Sequence, residues 1–361
     1  MAKKKKKSKK VLKIVMISIV LVAFIAGGVF FVTQSKNNKK KEENASSTNK
    51  KKEEKPKVEE KKLKTVNPDS NSRNIAVMYN NISTVWGYQS GLQDAYLVYE
   101  ILVEGGYTRL MAVFKDATTE RIGSVRSSRP YFLDYALEND ALYVHFGASE
   151  QALSDIKTLG VNNINGMSYS ASFWRDKSLK LATEHTAFTS MEHIKKGIDK
   201  YKYRTTTKID LLLDYSVDEI DISKMDGAVA ANKVFIDYSA SRSTTFEYDT
   251  VNKVYLRSQG TAKGNYSHVD AITKKQYTAK NIITYQLPSR TIDSKGRQEI
   301  NTTGGGKGYY ITNGYAVPIT WEKTSRASQT KYRYLDGTEI KVNDGNTYIE
   351  IQPSNKKLTI E

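Results

Sequence analysis

The chain has 361 residues, enough for two domains of about 150 residues each, and it contains no cysteine, which excludes thiol nucleophiles, disulfides, cysteine-ligated zinc and a lipidated cysteine. The formal net charge is +17, but residues 1–62 hold 19 Lys and six Glu, whereas residues 63–361 balance 37 Lys and Arg against 33 Asp and Glu. Because nucleic-acid binding needs positive charge on the folded surface, we expect no nucleic-acid partner.

An uncharged run of 19 residues, Ile14–Val32, predicts a transmembrane helix. At 1.5 Å per residue the run would span about 28 Å, close to the hydrocarbon thickness of a bilayer. A cleaved signal peptide is the alternative, but such a peptide has a shorter apolar region and a small-residue cleavage site. Eight lysines in residues 1–13 form a basic tail that the positive-inside rule places in the cytoplasm. We therefore expect a single-pass protein of the cell membrane, with the lipid bilayer as a partner and an extracytoplasmic globular part.

Residues 33–65 are rich in Lys, Glu, Asn and Ser and have few apolar side chains. Such a segment cannot bury enough apolar surface to offset its conformational entropy, so we expect a disordered charged linker. Two globular domains are predicted beyond it, at residues 66–228 and 229–361. Their predicted fold class is α/β plus all-β, with a mixed-sheet first domain and an antiparallel β-rich second domain.

The first predicted domain alternates strands and helices after an initial hairpin, which is typical of a mixed α/β sheet. Helix starts are indicated by a proline suited to the first turn and by serines that can cap the first free N–H groups. The predicted elements are strands at Asn74–Tyr79 and Ala141–Phe146, and helices from Pro130, from Ser149 to Leu159, and from near Thr189 or Ser190 to about Tyr203.

The hairpin has two apolar runs on either side of Gly105-Gly106. A Gly-Gly pair suits a two-residue turn because both turn positions need positive φ. Such a turn would set Leu102 opposite Arg109, and the alternation of side chains would then place Glu100, Glu104 and Arg109 on one face of the sheet. We expect these charges to pair with each other across the hairpin or with Arg126, since unpaired charges inside strands are costly.

From Lys233 onward, strand-like runs dominate and no helical period appears, so we expect an antiparallel meander, a sandwich or an open barrel. Asn313-Gly314, Asp336-Gly337 and Asp344-Gly345 mark tight turns. Thr303–Gly308 is similar to a phosphate loop, but its first glycine is missing and a glycine follows its lysine where Ser or Thr belongs. We expect a flexible turn there instead.

Five stretches of the first domain carry a family resemblance: IAVMYNN, QSGLQDAYLVYEILVEGGYTRLMAVF, IGSVRSSRPYFLDYA, YVHFGASEQAL and FWRDKSLKLATEHTAFTS. Their order and spacing resemble the YerB-like family of envelope lipoproteins, whose function is unknown, and residues 232–353 resemble that family's C-terminal domain. The resemblance implies a two-domain protein anchored at the cell surface and implies no reaction. This chain departs from the family in lacking the lipidated cysteine and in having Glu184-His185-Thr186 where relatives carry Pro-His-Asn.

Charged and polar residues of the first domain form a candidate ligand-binding site. In one interpretation, several arginines and a strand-end histidine lie near the free N–H groups of the helix that Ser149 caps, and together they bind an anion. In the other, the same charges form a buried network that holds the hairpin to a helix. We expect no metal and no other cofactor. The candidate residues are Glu100, Glu104, Arg109, Arg126, Arg129, His145, Arg175, Asp176 and His185.

Three functions remain open from the sequence. The first is a non-catalytic binding or scaffold module that recognises an anionic envelope polymer or a protein partner. The second is a hydrolase or transferase acting on an envelope polymer, with a glutamate base assisted by His145 or His185. The third is a purely structural partner of another envelope protein. No motif decides between these three functions. Gly147–Gln151 begins like the nucleophile elbow of a hydrolase but lacks the closing glycine.

Overall fold

The computed structural model describes residues 61–361. The predicted basic tail, the predicted transmembrane helix Ile14–Val32 and most of the predicted linker lie outside the described residues. No helix within the described range is long and apolar enough to cross a membrane. At the end of the linker, Leu63 packs against the core and the Lys64 backbone N–H donates to the Asp344 carboxylate at 2.9 Å. The disorder predicted for the linker therefore does not extend to Leu63.

We call residues 61–228 the first half of the described chain and residues 229–361 the second half. The three α-helices lie in the first half, and strands occur in both. The helices are α1 (Pro130–Glu138), α2 (Glu150–Thr158) and α3 (Met191–Tyr201). The first nine strands are β1 (Ile75–Asn80), β2 (Leu97–Leu102), β3 (Thr108–Phe114), β4 (Ile122–Gly123), β5 (Leu142–His145), β6 (Asn163–Asn165), β7 (Trp174–Arg175), β8 (Ala187–Thr189) and β9 (Asp214–Ser216). The others are β10 (Val229–Ala230), β11 (Lys233–Ser239), β12 (Arg242–Asp249), β13 (Val254–Thr261), β14 (Gly264–Ser267), β15 (Thr278–Ala279), β16 (Asn281–Leu287), β17 (Ser289–Thr291), β18 (Gln298–Ile300), β19 (Gly304–Thr312), β20 (Tyr315–Lys323), β21 (Lys331–Tyr334), β22 (Lys341–Asn343), β23 (Thr347–Pro353) and β24 (Leu358–Ile360).

The three helices begin where the sequence predicts them. Pro130 occupies the first turn of α1, where its missing N–H has no partner to lose. The Ser149 hydroxyl accepts from the Ala152 N–H at 3.3 Å at the start of α2. The Ser190 hydroxyl accepts from the His193 N–H at 3.1 Å at the start of α3. Side-chain caps of this kind satisfy backbone donors that have no partner inside the helix.

One mixed sheet of eleven strands crosses both halves of the described chain, in the order β10-β20-β19-β16-β23-β2-β3-β1-β5-β6, with β21 added at β20. Strand β23 joins the halves because it pairs in parallel with β2 on one side and with β16 on the other. The mixed α/β architecture is confirmed. The purely antiparallel prediction for residues 229–361 is wrong at β23, because strand propensity does not specify the direction of a partner strand. The domain boundary at residue 228 stays a prediction.

Two layers cover the large sheet, one on each face. On one face, Met78 of β1 packs in the same core as Phe132 of α1. Its neighbour on β1, Val77, points to the opposite face of the sheet and packs in the same core as Phe246. Phe246 belongs to a six-stranded sheet, β14-β13-β12-β11-β24 with β15 added at β13. Smaller sheets, β4-β8-β7, β17-β18 and β9-β22, complete the described fold.

The turn between β2 and β3 contains one residue more than predicted. Gly105 and Gly106 have φ of 67° and 72°, as a turn with two left-handed positions requires, and the Tyr107 N–H donates to the Glu104 carbonyl at 3.2 Å. The Tyr107 carbonyl, however, accepts from the Val103 N–H at 2.7 Å rather than from the Glu104 N–H. Glu104 is therefore part of the loop.

This extra loop residue shifts the pairing of β2 with β3 by one position. Leu102 lies opposite Thr108, not opposite Arg109. Side chains alternate between the two faces of a sheet. A register shift of one residue therefore places on opposite faces two residues that would otherwise share one face. Glu100 and Arg109 thus lie on opposite faces of the large sheet, and the predicted single charged face is wrong.

The glycine-rich segment predicted as a flexible turn is the start of strand β19, where residues 304–308 pair with β20. The glycines permit a close approach of neighbouring atoms. A Cβ on Gly306 would lie 2.9 Å from Nε1 of Trp321, and a Cβ on Gly308 would lie 2.5 Å from the Thr284 carbonyl oxygen. Glycine thus serves strand packing here, a use that composition alone does not separate from a turn.

Candidate anion-binding site

A cleft of about 640 Å³ opens at the tip of the β2–β3 hairpin. Its walls are the hairpin loop, the segment before α1, the first residues of α2 and the loop between β17 and β18. Five basic side chains line the cleft against two acidic ones: Arg109, Arg126, Arg129, Lys295 and Arg297 against Glu104 and Glu150. We call this cavity the arginine cleft.

Three of the predicted residues form an ion-pair group at the centre of the arginine cleft. Glu104 accepts a short hydrogen bond from Nε of Arg129, and its other carboxyl oxygen lies 3.9 Å from Nη2 of Arg109. Burial would raise the pKa of Glu104, but the hydrogen bond and charge of Arg129 outweigh it and hold that pKa below its usual value. Burial and the neighbouring Arg129 lower the pKa of Arg109 to about 9, so its guanidinium stays charged at neutral pH.

Arg126 differs from these two arginines because it forms no ion pair with any residue of the described chain. The side chain is half-buried in the wall of the arginine cleft, and its Nη1 donates to the Glu184 carbonyl oxygen at 3.0 Å. Burial lowers its pKa, while the Glu184 carboxylate acts in the opposite direction. A guanidinium has five N–H donors, so this hydrogen bond leaves most of them without a protein acceptor.

Lys295 and Arg297 were not predicted from the sequence. Both come from the β17–β18 loop of the second half, and Arg297 pairs with Asp293 in the same loop and with Glu150 of α2 at 3.4 Å. A polar turn with mixed charges usually marks a solvated surface, and its sequence contains no signal that it contacts the first half. Only the fold brings these two cations to the arginine cleft.

Two of the predicted residues that do not line the arginine cleft are fully buried. Glu100 is fully buried on the opposite face of the sheet, where it pairs with Arg257. His145 is also fully buried, and its ring nitrogens lie 2.7 Å from the Gly147 carbonyl oxygen and 3.1 Å from Oδ1 of Asn163. Burial lowers the pKa of His145, which favours the neutral ring. The carboxylate of Glu100 and the ring nitrogens of His145 therefore have their partners within the protein.

The last three predicted residues do not line the arginine cleft, and one of them, His185, contacts a residue that does. Nδ1 of His185 lies 3.1 Å from Nδ2 of Asn80, a residue of the cleft wall, and burial and the charge of Arg126 lower the pKa of His185. The Arg175 guanidinium stacks 4.1 Å above the Phe146 ring. Asp176 pairs with Arg121 at 2.9 Å and caps a short helical turn. In residues 61–361, no three His, Asp or Glu side chains cluster in a way that could hold a metal ion.

Comparison with known families accounts for most of the described chain. The family model described as "Protein of unknown function (DUF3048) N-terminal domain" matches residues 62–204, and the family model of the corresponding C-terminal domain matches residues 234–349. A Bacillus subtilis (strain 168) protein described as "Putative lipoprotein YerB" is 30% identical over 296 residues, which cover 81% of this chain and 84% of the relative. The chain belongs to the DUF3048 family. The resemblance to YerB-like proteins inferred from the sequence is therefore confirmed.

A solved structure supports the fold of this DUF3048 protein. The crystal structure of the YerB protein from Bacillus subtilis superimposes with a TM-score of 0.68 at 26% sequence identity. The match covers 80% of this chain and 94% of the YerB chain. The mixed, strand-rich α/β architecture is therefore shared with YerB, while the family description assigns no activity to either domain.

Proposed function

We propose that this DUF3048 protein is a non-catalytic binding module of the cell envelope, and that its arginine cleft holds an anionic group of the ligand. The observation that carries the proposal is the state of Arg126, which is half-buried in the cleft and has no carboxylate within ion-pair distance among the described residues. Removing a charged group from water without an ionic partner is costly. A phosphate or carboxylate of the ligand would supply that partner.

The surroundings of Arg126 suit a polyanion. Glu104 offsets one of the two positive charges of Arg109 and Arg129, and Glu150 faces Arg297, so the lining keeps a net positive charge. The first residues of α2 also line the cleft, and the N-terminus of a helix favours nearby negative charge. These features favour a ligand with several anionic groups, as in an envelope polymer or an acidic protein partner.

We assign the anchoring of this module to the apolar run Ile14–Val32. The Bacillus subtilis relative is described as a lipoprotein, whereas these 361 residues contain no cysteine to carry a lipid. An apolar run of this length would hold the globular part at the outer side of the membrane. Deleting residues 14–32 should move the protein from the membrane fraction to the soluble fraction, and retention in the membrane would contradict the assignment.

Equilibrium titration of the full chain in detergent micelles with short-chain inorganic polyphosphate tests the binding proposal. Arg126→Ala should weaken binding by about 1.5–3 kcal/mol, the usual contribution of a hydrogen bond to a charged group. Arg333→Ala is the charge-matched control, because Arg333 of β21 pairs with Glu322 of β20 and does not line the arginine cleft. Equal affinities for the two variants would overturn the proposal.

The geometry gives less support to a hydrolase or transferase. Of the glutamates predicted from the sequence, Glu104 lines the arginine cleft, and a carboxylate whose pKa is held below its usual value is a weak general base. The other glutamate in the cleft, Glu150, faces Arg297. Glu100 lies on the other face of the sheet and His145 is fully buried, so neither can reach a substrate in the cleft. The binding function therefore remains the proposal that the site supports best.

A further inference from the structure

A second cavity, of about 460 Å³, lies beside Arg242 at the start of β12. Three aromatic side chains line it, and one of them, Tyr107, also lines the arginine cleft. Hydroxyl groups and one lysine complete the wall. The residues that line this aromatic pocket are Ser83, Trp86, Tyr107, Ser241, Arg242, Thr261, Ala262, Lys263 and Tyr266.

Arg242 is buried without the partners that a buried arginine normally has. Its side chain is 2% exposed, and Nε and Nη1 have no hydrogen-bond acceptor within residues 61–361. Its guanidinium lies 4.4 Å from the Trp86 ring and 5.5 Å from the Tyr107 ring. Contact with aromatic rings stabilises the charge but leaves N–H donors without acceptors. Arg257, which is also buried, has the Glu100 carboxylate as its partner.

The aromatic side chains of this pocket keep part of their surface free. Tyr107 is 40% exposed and Tyr266 is 48% exposed, and the Tyr266 ring lies 6.1 Å from the Trp86 ring. An aromatic face of this kind packs against the C–H groups of a sugar ring or against another planar ring. The hydroxyl groups of Ser83, Ser241 and Thr261 can donate and accept hydrogen bonds around such a ring.

We infer that the aromatic pocket binds a sugar ring that carries a carboxylate, as in a hexuronic acid unit of an acidic polysaccharide. The carboxylate accepts from the free donors of Arg242, the ring packs on Tyr266 and Tyr107, and its hydroxyls bond the surrounding serine and threonine side chains. Burial lowers the pKa of Arg242 only to about 10, so the guanidinium is charged at neutral pH. The site is distinct from the arginine cleft, since Arg126 and Arg129 do not line it.

Calorimetric titration of the full chain in detergent micelles with an oligogalacturonate tests this inference. The same oligosaccharide with its carboxyl groups reduced to alcohols should bind at least about tenfold more weakly, because it loses the charged acceptor. Tyr266→Ala removes half-exposed aromatic surface and should weaken oligogalacturonate binding about three- to tenfold. Arg242→Gln should weaken binding further, and its melting temperature shows whether the variant is folded.

Arg126→Ala and polyphosphate separate the two sites. In the Arg126→Ala background, Tyr266→Ala should still weaken oligogalacturonate binding about three- to tenfold, whereas polyphosphate should bind Tyr266→Ala as it binds the wild type. Loss of oligogalacturonate binding in Arg126→Ala but not in Tyr266→Ala would place the sugar acid in the arginine cleft and overturn the inference. Equal affinity for the acidic and the reduced oligosaccharide, or no binding of either, would also overturn it. Tighter binding of benzoate than of galacturonate would show that the pocket prefers an aromatic acid to a sugar acid, and it would contradict the assignment.

Discussion

The Glu100 carboxylate and the Arg257 guanidinium form a fully buried ion pair, with Oε2 and Nη2 2.5 Å apart, although 157 positions separate the two residues in the chain. Asn81, Thr108 and Thr244 also donate to the Glu100 carboxylate, at 3.2, 2.6 and 2.9 Å. Glu100 belongs to the large sheet and Arg257 to the six-stranded sheet. The pair therefore fastens the two layers to each other across the core.

Breaking this pair should be strongly destabilising. Arg257→Ala leaves Glu100 buried without its counter-ion, and such a change costs about 3–5 kcal/mol of unfolding free energy. For a folded part of this size, the melting temperature should fall by about 5–8 °C. Arg290→Ala is the matched control, since its pair with Glu299 is exposed and should contribute less than about 1 kcal/mol. Equal melting temperatures for the two variants would show that the buried pair contributes little.

Glu350 should make the protein less stable as the pH rises. It lies opposite Glu100 in the β2–β23 pairing, and burial together with the Glu100 charge raises its pKa well above the usual value. The Tyr238 hydroxyl donates to one carboxyl oxygen at 2.5 Å, and the other oxygen has no partner in the described chain. Because Glu100 has the arginine and three further donors, we assign the proton of the pair to Glu350.

The sign of the pH effect follows from this raised pKa. The folded state binds one proton more than the unfolded state above about pH 4.5, so the unfolding free energy falls by up to about 1.4 kcal/mol per pH unit until the folded-state pKa is reached. Glu350→Gln removes the titrating group, and its stability relative to the wild type should increase from about pH 5 to pH 8. Urea unfolding at several pH values measures this difference, and a constant difference would contradict the assignment.

The shared sheet predicts one cooperative unfolding transition for the described part of the chain. Lys323 of β20 pairs with Glu138 of α1 at 2.8 Å, and both are almost fully buried, so a second ion pair also links the halves. Variants that retain only Trp174, in the first half, or only Trp321, in the second, report each half by fluorescence. Their midpoints in urea should coincide. Two separate midpoints would show that the halves unfold independently.

The sequence predicted local structure better than the relations between distant segments. Capping serines and Pro130 placed the helices correctly because these signals act within one turn. The glycine pair predicted the turn's left-handed residues but not its length, since the same pair fits loops of two or three residues. That single residue moved Glu100 to the opposite face of the sheet.

The candidate site was predicted only in part, because some of its residues come from distant segments of the chain. Glu104, Arg109, Arg126 and Arg129 are close in the first half, and the structure brings them to one cleft. Lys295 and Arg297 reach it only because β23 joins the second half to the first sheet. The partner of Glu100, Arg257, depends on the packing of two sheets, and no spacing or motif in a single sequence encodes that contact.

Thermal unfolding of the full chain as wild type and as Arg126→Ala, each with and without polyphosphate, tests the binding role of the arginine cleft most directly. Because Arg126 forms no ion pair in the described chain, its loss should leave the melting temperature unchanged or slightly raised without ligand. Polyphosphate should raise the melting temperature of the wild type and raise that of the variant much less. A fall of about 5 °C or more in Arg126→Ala without ligand, with no polyphosphate effect on the wild type, would show that the arginine is structural and would contradict the account.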